Sequence, residues 1–182
     1  NHDIDLGFVY HHLHFKNIVA EPVLREKMFL IQAADTELKN PIIYTEQKIS
    51  GQMSLDGING RVIDMTVELT NVEGREFKVD VAHNEEYTTT FTYYPEKHQI
   101  EIDRTYSGVN ADVVCVRKIE IAEKHAPKLH FIMDRYSVEL FINDGEQTAS
   151  VVIPTPLEAN EIIFTSDEAA TVNIEKYEIT FN

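Results

Sequence analysis

The stretch KLHFIMDRYSVELFINDGEQTASVVIP, residues 128–154, decides the fold, because apolar side chains alternate along it in three separate runs. A period of two places successive side chains on opposite faces of a strand, so each run offers one apolar face to a core. The stretch therefore predicts three consecutive antiparallel strands. Their apolar positions are Leu129, Phe131 and Met133, then Val138, Leu140 and Ile142, then Ala149, Val151 and Ile153.

Two short polar segments join these runs. The first is Asp134-Arg135-Tyr136-Ser137, and the second covers residues 143–146. Within the second, Asp144 and Gly145 tolerate positive φ, which favours a two-residue hairpin turn. The whole stretch is therefore predicted to be a compact three-stranded meander.

The same alternation continues on both sides of the meander, from Ile42 to the end of the chain. In the last segment the apolar parity changes, which predicts a bulge near Glu175 or Lys176. Helical spacing of apolar residues is confined to residues 24–38. The predicted fold is all-β, a two-sheet antiparallel β-sandwich of concanavalin or lectin-like type, with at most one short helix in an N-terminal linker. The other predicted strands lie within residues 63–69, 77–81, 87–94, 100–102, 113–121, 161–165 and 171–181.

The charge balance argues against two classes of partner. Acidic residues outnumber basic ones by 31 to 16 in 182 residues, which gives a formal net charge of −15. Such a chain repels phosphate backbones and anionic lipids, so we expect neither nucleic acid nor a membrane as partner. The single cysteine, Cys115, excludes an intrachain disulfide and is predicted to be a small buried hydrophobic residue.

Neither a metal site nor a catalytic motif is indicated. Three histidines, His11, His12 and His14, form the densest cluster, but a strand would place only two of them on one face, and two ligands do not make a zinc site. There is no GxSxG elbow and no glycine-rich phosphate loop. We therefore expect no metal, no cofactor and no catalysis by this chain alone.

Two Asp-Arg pairs at predicted strand ends are the candidate site. They are Asp103-Arg104 and Asp134-Arg135. In a structural interpretation each carboxylate binds turn amides, while the guanidinium pairs with a nearby acid such as Glu139. In a functional interpretation the same groups bind sugar hydroxyls.

The sugar-binding interpretation adds two aromatic side chains to these pairs. Tyr106 lies two residues after Arg104, and Tyr136 directly follows Arg135. Arginine and aspartate supply donors and acceptors for hydroxyls, and a tyrosine ring supplies an apolar platform. The residues alone leave both interpretations open.

Three strings resemble one known family. LHFIMDRYSVELFINDGEQT (129–148), IEIDRTYSG (100–108) and VNIEKYEI (172–179) closely resemble the C-terminal β-sandwich of glycoside hydrolase family 32. This family comprises invertases, sucrose-6-phosphate hydrolases, levanases and inulinases. Residues 15–30 are similar to the segment that leaves the last propeller blade of such enzymes, although His11-His12-Leu13-His14 departs from the family pattern.

The resemblance implies a division of labour between domains. The family's chemistry resides in an N-terminal five-bladed β-propeller with WMNDPNG, RDP and EC motifs, and this sequence contains none of them. Residues 1–40 would be a linker from that propeller plus the first strand, and residues 41–182 the sandwich. The implied partner is the catalytic propeller of the same parent chain, and a homo-oligomer is left open.

Two roles follow from the resemblance. The sandwich either supports the catalytic propeller structurally or binds fructan or sucrose-type sugars as a carbohydrate-binding module. The parent would be cytoplasmic if it is a sucrose-6-phosphate hydrolase and secreted if it is a levanase.

Overall fold

The computed structural model describes residues 38–108, 115–122 and 126–179, all within a compact unit that covers Ile31–Asn182. The rest of the chain includes a second unit, Asn1–Leu30. The predicted helix lies outside the described residues except for Leu38, and so does the histidine cluster. No helix among the described residues is long and apolar enough to cross a membrane.

The described residues form ten strands and two short 3₁₀ turns. The strands are β1 (Leu38–Met53), β2 (Ile63–Val72), β3 (Phe77–His83), β4 (Thr89–Tyr94), β5 (Gln99–Asp103), β6 (Val116–Glu120), β7 (Lys128–Asp134), β8 (Ser137–Ile142), β9 (Gln147–Val152) and β10 (Glu161–Ile179). The turns are Pro95–Lys97 and Asn143–Gly145.

All strand pairs are antiparallel, and the long strand β10 belongs to both layers. The order is β6-β5-β4-β3-β10-β2-β7-β8-β9, with β1 pairing along β10. The first part of β10 pairs with β3 and the second part with β2, so the sheet curls over at β10. The two layers face each other, since Phe91 of β4 meets Phe131 of β7 edge to face at 5.1 Å between ring centroids. This confirms the predicted all-β sandwich.

The meander is confirmed as β7, β8 and β9. All nine of its predicted inward side chains are buried, with at most 5% exposure. The turn between β8 and β9 is longer than predicted, because the last pair is Ile142 with Gln147 and four residues lie between. Asn143 leaves the ladder, and its side-chain oxygen accepts a hydrogen bond from the Lys128 amide at 3.1 Å. Three successive residues of this turn, Asn143, Asp144 and Gly145, have positive φ angles.

The last two predicted segments are one continuous strand, and the predicted bulge is wrong. The side chains of Val172, Ile174 and Lys176 alternate on the inner face, and β10 pairs regularly with β2 over this stretch. Towards β2 the pairing shifts instead between Thr171 and Val172. Towards β1 it does shift next to Lys176, but the extra residue lies in β1, between Lys39 and Ile42. The bulge was predicted because Lys176 stands where an apolar residue was expected. Lys176 is nevertheless only 1% exposed, because the apolar stem of a lysine can occupy an inward position.

One end of the sandwich receives the incoming chain, and we call it the entry end. Leu38 pairs with Ile179, whose amide donates to the carbonyl of Val62, and Ile63 pairs with Met133. Four strand ends therefore lie at the same level: the start of β1, the end of β10, the start of β2 and the end of β7. The opposite end, called the hairpin end, carries the β2–β3, β4–β5 and β8–β9 turns.

Candidate functional site

The first Asp-Arg pair closes the turn after β5. The Asp103 carboxylate accepts hydrogen bonds from the amide and hydroxyl of Thr105, at 2.8 and 2.6 Å. The Arg104 guanidinium donates to the carbonyl of Val152 at the end of β9, at 2.9 Å. Cys115, whose carbonyl accepts from the Arg104 amide, is partly exposed rather than buried as predicted. This pair joins β5 to the end of β9.

The second Asp-Arg pair forms the β7–β8 turn. The Asp134 carboxylate accepts a hydrogen bond from the Arg135 amide at 2.6 Å. The Arg135 side chain is exposed, and no described residue pairs with its guanidinium. Glu139 instead accepts a hydrogen bond from Ser150, which lies directly opposite it on β9. The expected ion pair between Arg135 and Glu139 is therefore not formed.

The structure brings the two turns together at the entry end, in a surface that we call the rim. The rim consists of residues 103–108, residues 134–137 and the connection 152–160. The Thr155 hydroxyl donates to the Ser107 carbonyl at 2.7 Å, and the Ile153 amide donates to the Tyr136 carbonyl at 2.8 Å. Four of the five candidate residues thus share the rim, while Glu139 lies on β8 outside it.

Arg61 binds the backbone of the rim, a role that no sequence pattern indicates. It is only 7% exposed, yet its guanidinium binds carbonyl oxygens and no carboxylate. Burial lowers the pKa of Arg61 from its ordinary value, while the nearby Tyr136 opposes that effect. The guanidinium acceptors are the carbonyls of Thr155 (3.3 Å), Pro156 (2.9 Å), Ala159 (3.2 Å) and Arg135.

Large apolar side chains are exposed on the rim. Tyr106 is 67% exposed and Tyr136 53%, as the sugar-binding interpretation requires of an aromatic platform. Val152, at 62%, and Leu157, at 37%, are exposed beside them. The rim therefore combines tyrosine rings, aliphatic side chains and the exposed Arg135 guanidinium.

The arrangement offers recognition chemistry more readily than acid-base chemistry. Asp103 and Asp134 both accept hydrogen bonds within their own turns, and neither lines either of two open cavities on the described surface. These cavities measure about 610 Å³, next to Lys128 and Asp144, and about 440 Å³, next to Asn59 and Glu161. Within the described ranges no cluster of histidine, cysteine or acidic side chains could hold a metal ion.

Comparison with known proteins gives a family match over most of the chain. Residues 32–180 match the family described as the C-terminal domain of glycosyl hydrolases family 32. The sucrose-6-phosphate hydrolase of Staphylococcus xylosus is 25% identical over 122 residues, which are 66% of this chain and 25% of that protein.

Solved structures share the fold. An exo-inulinase from Aspergillus awamori superimposes with a TM-score of 0.65 at 20% identity, over 80% of this chain and 30% of its own. A sucrose-6-phosphate hydrolase from Lactobacillus gasseri gives 0.62 at 22% identity, over 79% and 28%. This chain thus spans less than a third of the length of each of these relatives. The family match confirms the resemblance seen in the sequence, and the chain belongs to the C-terminal domains of glycoside hydrolase family 32.

Proposed function

We propose that this chain is the C-terminal accessory sandwich of a fructoside-hydrolysing enzyme of the β-fructofuranosidase or sucrose-6-phosphate hydrolase type. The family match over residues 32–180 carries the proposal. The names of the relatives support it, since they include a sucrose-6-phosphate hydrolase and an exo-inulinase. If the parent acts on a phosphorylated sugar, as the name of the Staphylococcus xylosus relative suggests, its place is the cytoplasm.

The role that we assign to this sandwich is structural support of a catalytic propeller that precedes it in the same parent chain. The polar groups of the rim favour this role, because they are used to hold the fold. Asp103 and Asp134 bind turn amides, and Arg61 binds four carbonyls. Carboxylates engaged in this way are poorly suited to protonate a leaving group or attack a sugar.

The proposal is tested by measuring hydrolysis with the purified 182-residue chain. We expect a cooperatively melting β protein that releases no fructose from sucrose or sucrose 6-phosphate above the buffer blank. The complete polypeptide encoded by the same reading frame serves as the positive control and should release fructose. Hydrolysis by the 182-residue chain would overturn the structural role, and an inactive complete polypeptide would overturn the parent activity.

A second candidate function is fructan binding, favoured by the exposed Tyr136 ring next to the exposed guanidinium of Arg135. Isothermal titration with levan or inulin separates the two candidates. A binding module should give saturable heat that Arg135→Ala abolishes. The matched control is Lys97→Ala, an exposed cation at the hairpin end, which should leave binding intact. Flat traces with the unaltered chain would exclude the binding module.

A further inference from the structure

The outward-facing side chains of the meander extend from the rim along the strands. Val152, which belongs to the rim and is 62% exposed, pairs with Ser137 at the start of β8. The next outward pair is Glu139 with Ser150, and Ile132 of β7 lies beside Glu139. Glu139, which lies outside the rim, is therefore part of a surface that adjoins it. We call this surface the meander face, and it consists of His130, Ile132, Glu139, Phe141, Thr148 and Ser150.

Two rings and an isoleucine form the apolar part of the meander face. The rings of His130 and Phe141 are in contact, with 5.8 Å between their centroids, and both side chains are partly exposed. Because an ionised carboxylate only accepts hydrogen bonds, His130 donates from Nε2 to Asp64, at 2.8 Å. In the neutral ring the other nitrogen is an acceptor, and no described residue binds it. The meander face therefore presents oriented rings and an open acceptor.

Glu139 and Ser150 form the polar part of the meander face. The Ser150 hydroxyl donates a hydrogen bond to the Glu139 carboxylate directly across the strand pair. Among the described residues no lysine or arginine forms an ion pair with Glu139. An ionised carboxylate has about four acceptor positions, so most of them stay open to the hydroxyls of a ligand. Such groups beside partly exposed rings are the combination that binds sugars.

The charge around the meander face restricts the kind of sugar. Four carboxylates on the outer face of this layer are bound by histidine, asparagine, serine or tyrosine, and by no described lysine or arginine. The hydrogen bond to Glu175 raises the pKa of the Tyr177 hydroxyl, and the negative charges of Glu175 and Asp64 raise it further. On the other layer Lys78 is paired with Glu76 at 2.7 Å. Anionic sugars are repelled by the unbalanced charge, and neutral sugars are not. The four carboxylates are Asp64, Glu68, Glu139 and Glu175.

The meander face is longer than one sugar ring. β8 has six residues, which span ~20 Å from the rim towards the hairpin end. Lys128, the next outward residue of β7 after His130, lines the open cavity of about 610 Å³ together with Asn143. A ligand that follows the strands from the rim to this cavity must be a chain, because a single ring covers only part of the distance.

We propose that the meander face binds a neutral polysaccharide chain whose end is held by the rim, an inference that rests on the second candidate function. Rings of the chain would pack on Phe141 and His130, and their hydroxyls would donate to Glu139. The rim provides the main anchor. The meander face adds a second contact to a ligand that is already bound, which raises the affinity through a high effective concentration. A polymeric ligand also favours a parent that acts on fructan over one that acts on sucrose 6-phosphate.

Isothermal titration with fructans of two lengths tests this proposal. We expect long-chain inulin to bind the 182-residue chain about tenfold more tightly than a trisaccharide of the same linkage, with both concentrations expressed per chain. Phe141→Ala and the isosteric Glu139→Gln should each remove most of this difference and leave binding of the trisaccharide unchanged. Equal binding of inulin and trisaccharide by the unaltered chain would overturn the meander face as a site and preserve binding at the rim.

The matched controls replace exposed side chains away from the meander face. Tyr94→Ala removes a partly exposed ring from the other layer. Ile43→Ser removes a 63% exposed apolar side chain from β1, three strands away from β7 in the same layer. Both variants should retain the tighter binding of inulin. Loss of the difference in either control would place the chain on another surface and contradict the proposal.

Hydroxyl-radical footprinting of the unaltered chain gives a readout that does not depend on substitutions. Inulin should lower the oxidation of Phe141 and Tyr136, whereas the trisaccharide should lower that of Tyr136 alone. Tyr94 should be oxidised equally with and without either ligand. If inulin protects Tyr136 and leaves Phe141 as reactive as before, the polysaccharide does not lie on the meander face and the proposal is wrong.

Two further outcomes separate this inference from the proposed function. Polygalacturonate, an anionic polysaccharide, should not bind, and binding as tight as that of inulin would overturn the assignment to neutral chains. If neither inulin nor the trisaccharide binds, the meander face and the second candidate function are both excluded, while the structural role of the sandwich stands.

Discussion

The buried guanidinium of Arg61 donates its hydrogen bonds to backbone carbonyls. These carbonyls come from two segments, the connection after β9 and the β7–β8 turn. A guanidinium can serve several acceptors at once because its five N–H donors lie in one plane. Its Nε is buried without a hydrogen-bond partner. The hydrogen bonds to the carbonyls therefore account for the position of this side chain. Arg61 therefore fixes the backbone of the rim.

Replacing Arg61 with methionine should destabilise the chain by about 2–4 kcal/mol, because four carbonyl oxygens lose their donor and two of the lost hydrogen bonds are buried. Equilibrium unfolding in urea measures this loss. Arg61→Lys should also be destabilising, since an ammonium group cannot reach acceptors spread over the span of a guanidinium. The matched control is Arg135→Met, whose exposed side chain should change the stability by less than about 0.5 kcal/mol. Equal losses for Arg61→Met and Arg135→Met would contradict this role.

The sequence predicted the local part of the candidate site and missed the non-local part. Asp103 and Asp134 bind groups one or two residues away, so their role in turns is visible in the sequence alone. Arg61 binds carbonyls that lie 74 to 98 residues further along the chain. No spacing rule reaches so far, and an arginine after Gly60 resembles an ordinary exposed loop residue.

The alternation of apolar and polar residues predicted where strands occur. It did not predict that two predicted strands form one continuous strand. The meander and β2, β3 and β5 were predicted because their buried positions are apolar without exception. In β10 the short exposed stretch from Asp167 to Ala169 separates two apolar runs, so the sequence alone predicts two strands there. The backbone nevertheless continues, since β1 pairs with both parts. This continuity is what turns one sheet into two facing layers.

The β2–β3 connection is held against β10 by Asp167. Its carboxylate accepts hydrogen bonds from the amides of Arg75 and Glu76, at 3.0 and 3.3 Å, and from the Arg75 guanidinium at 3.1 Å. Gly74 is needed beside it, because a Cβ there would lie 2.1 Å from the carboxylate. Desolvation alone would raise the pKa of Asp167, but the bonds from Arg75 and Glu76 outweigh it and the pKa lies below its ordinary value.

Asp167→Asn should therefore destabilise the chain at neutral pH and have little effect in acid. A lowered folded-state pKa means that the carboxylate stabilises the fold above the unfolded-state pKa, about 3.9, and that this contribution is lost as the pH falls through the folded-state value. Urea unfolding of both proteins at pH 7 and below pH 3 measures the difference. Asp144→Asn, which removes an exposed pair with Lys128, is the control and should have a small effect. A difference that grows in acid would contradict the prediction.

At the scale of the whole molecule, the rim and the net charge have opposite effects on self-association of the 182-residue chain. The exposed tyrosines and aliphatic side chains favour association between copies, while a charge of −15 on each copy repels them. We expect weak self-association that strengthens as salt screens the repulsion. Sedimentation velocity over a range of protein and salt concentrations measures it. The double variant Tyr106→Ser with Tyr136→Ser should remain monomeric where the unaltered chain associates, and Ile43→Ser should associate like the unaltered chain. Association that survives loss of both tyrosines would show that another surface drives it, because the two rings account for most of the aromatic area that the rim exposes.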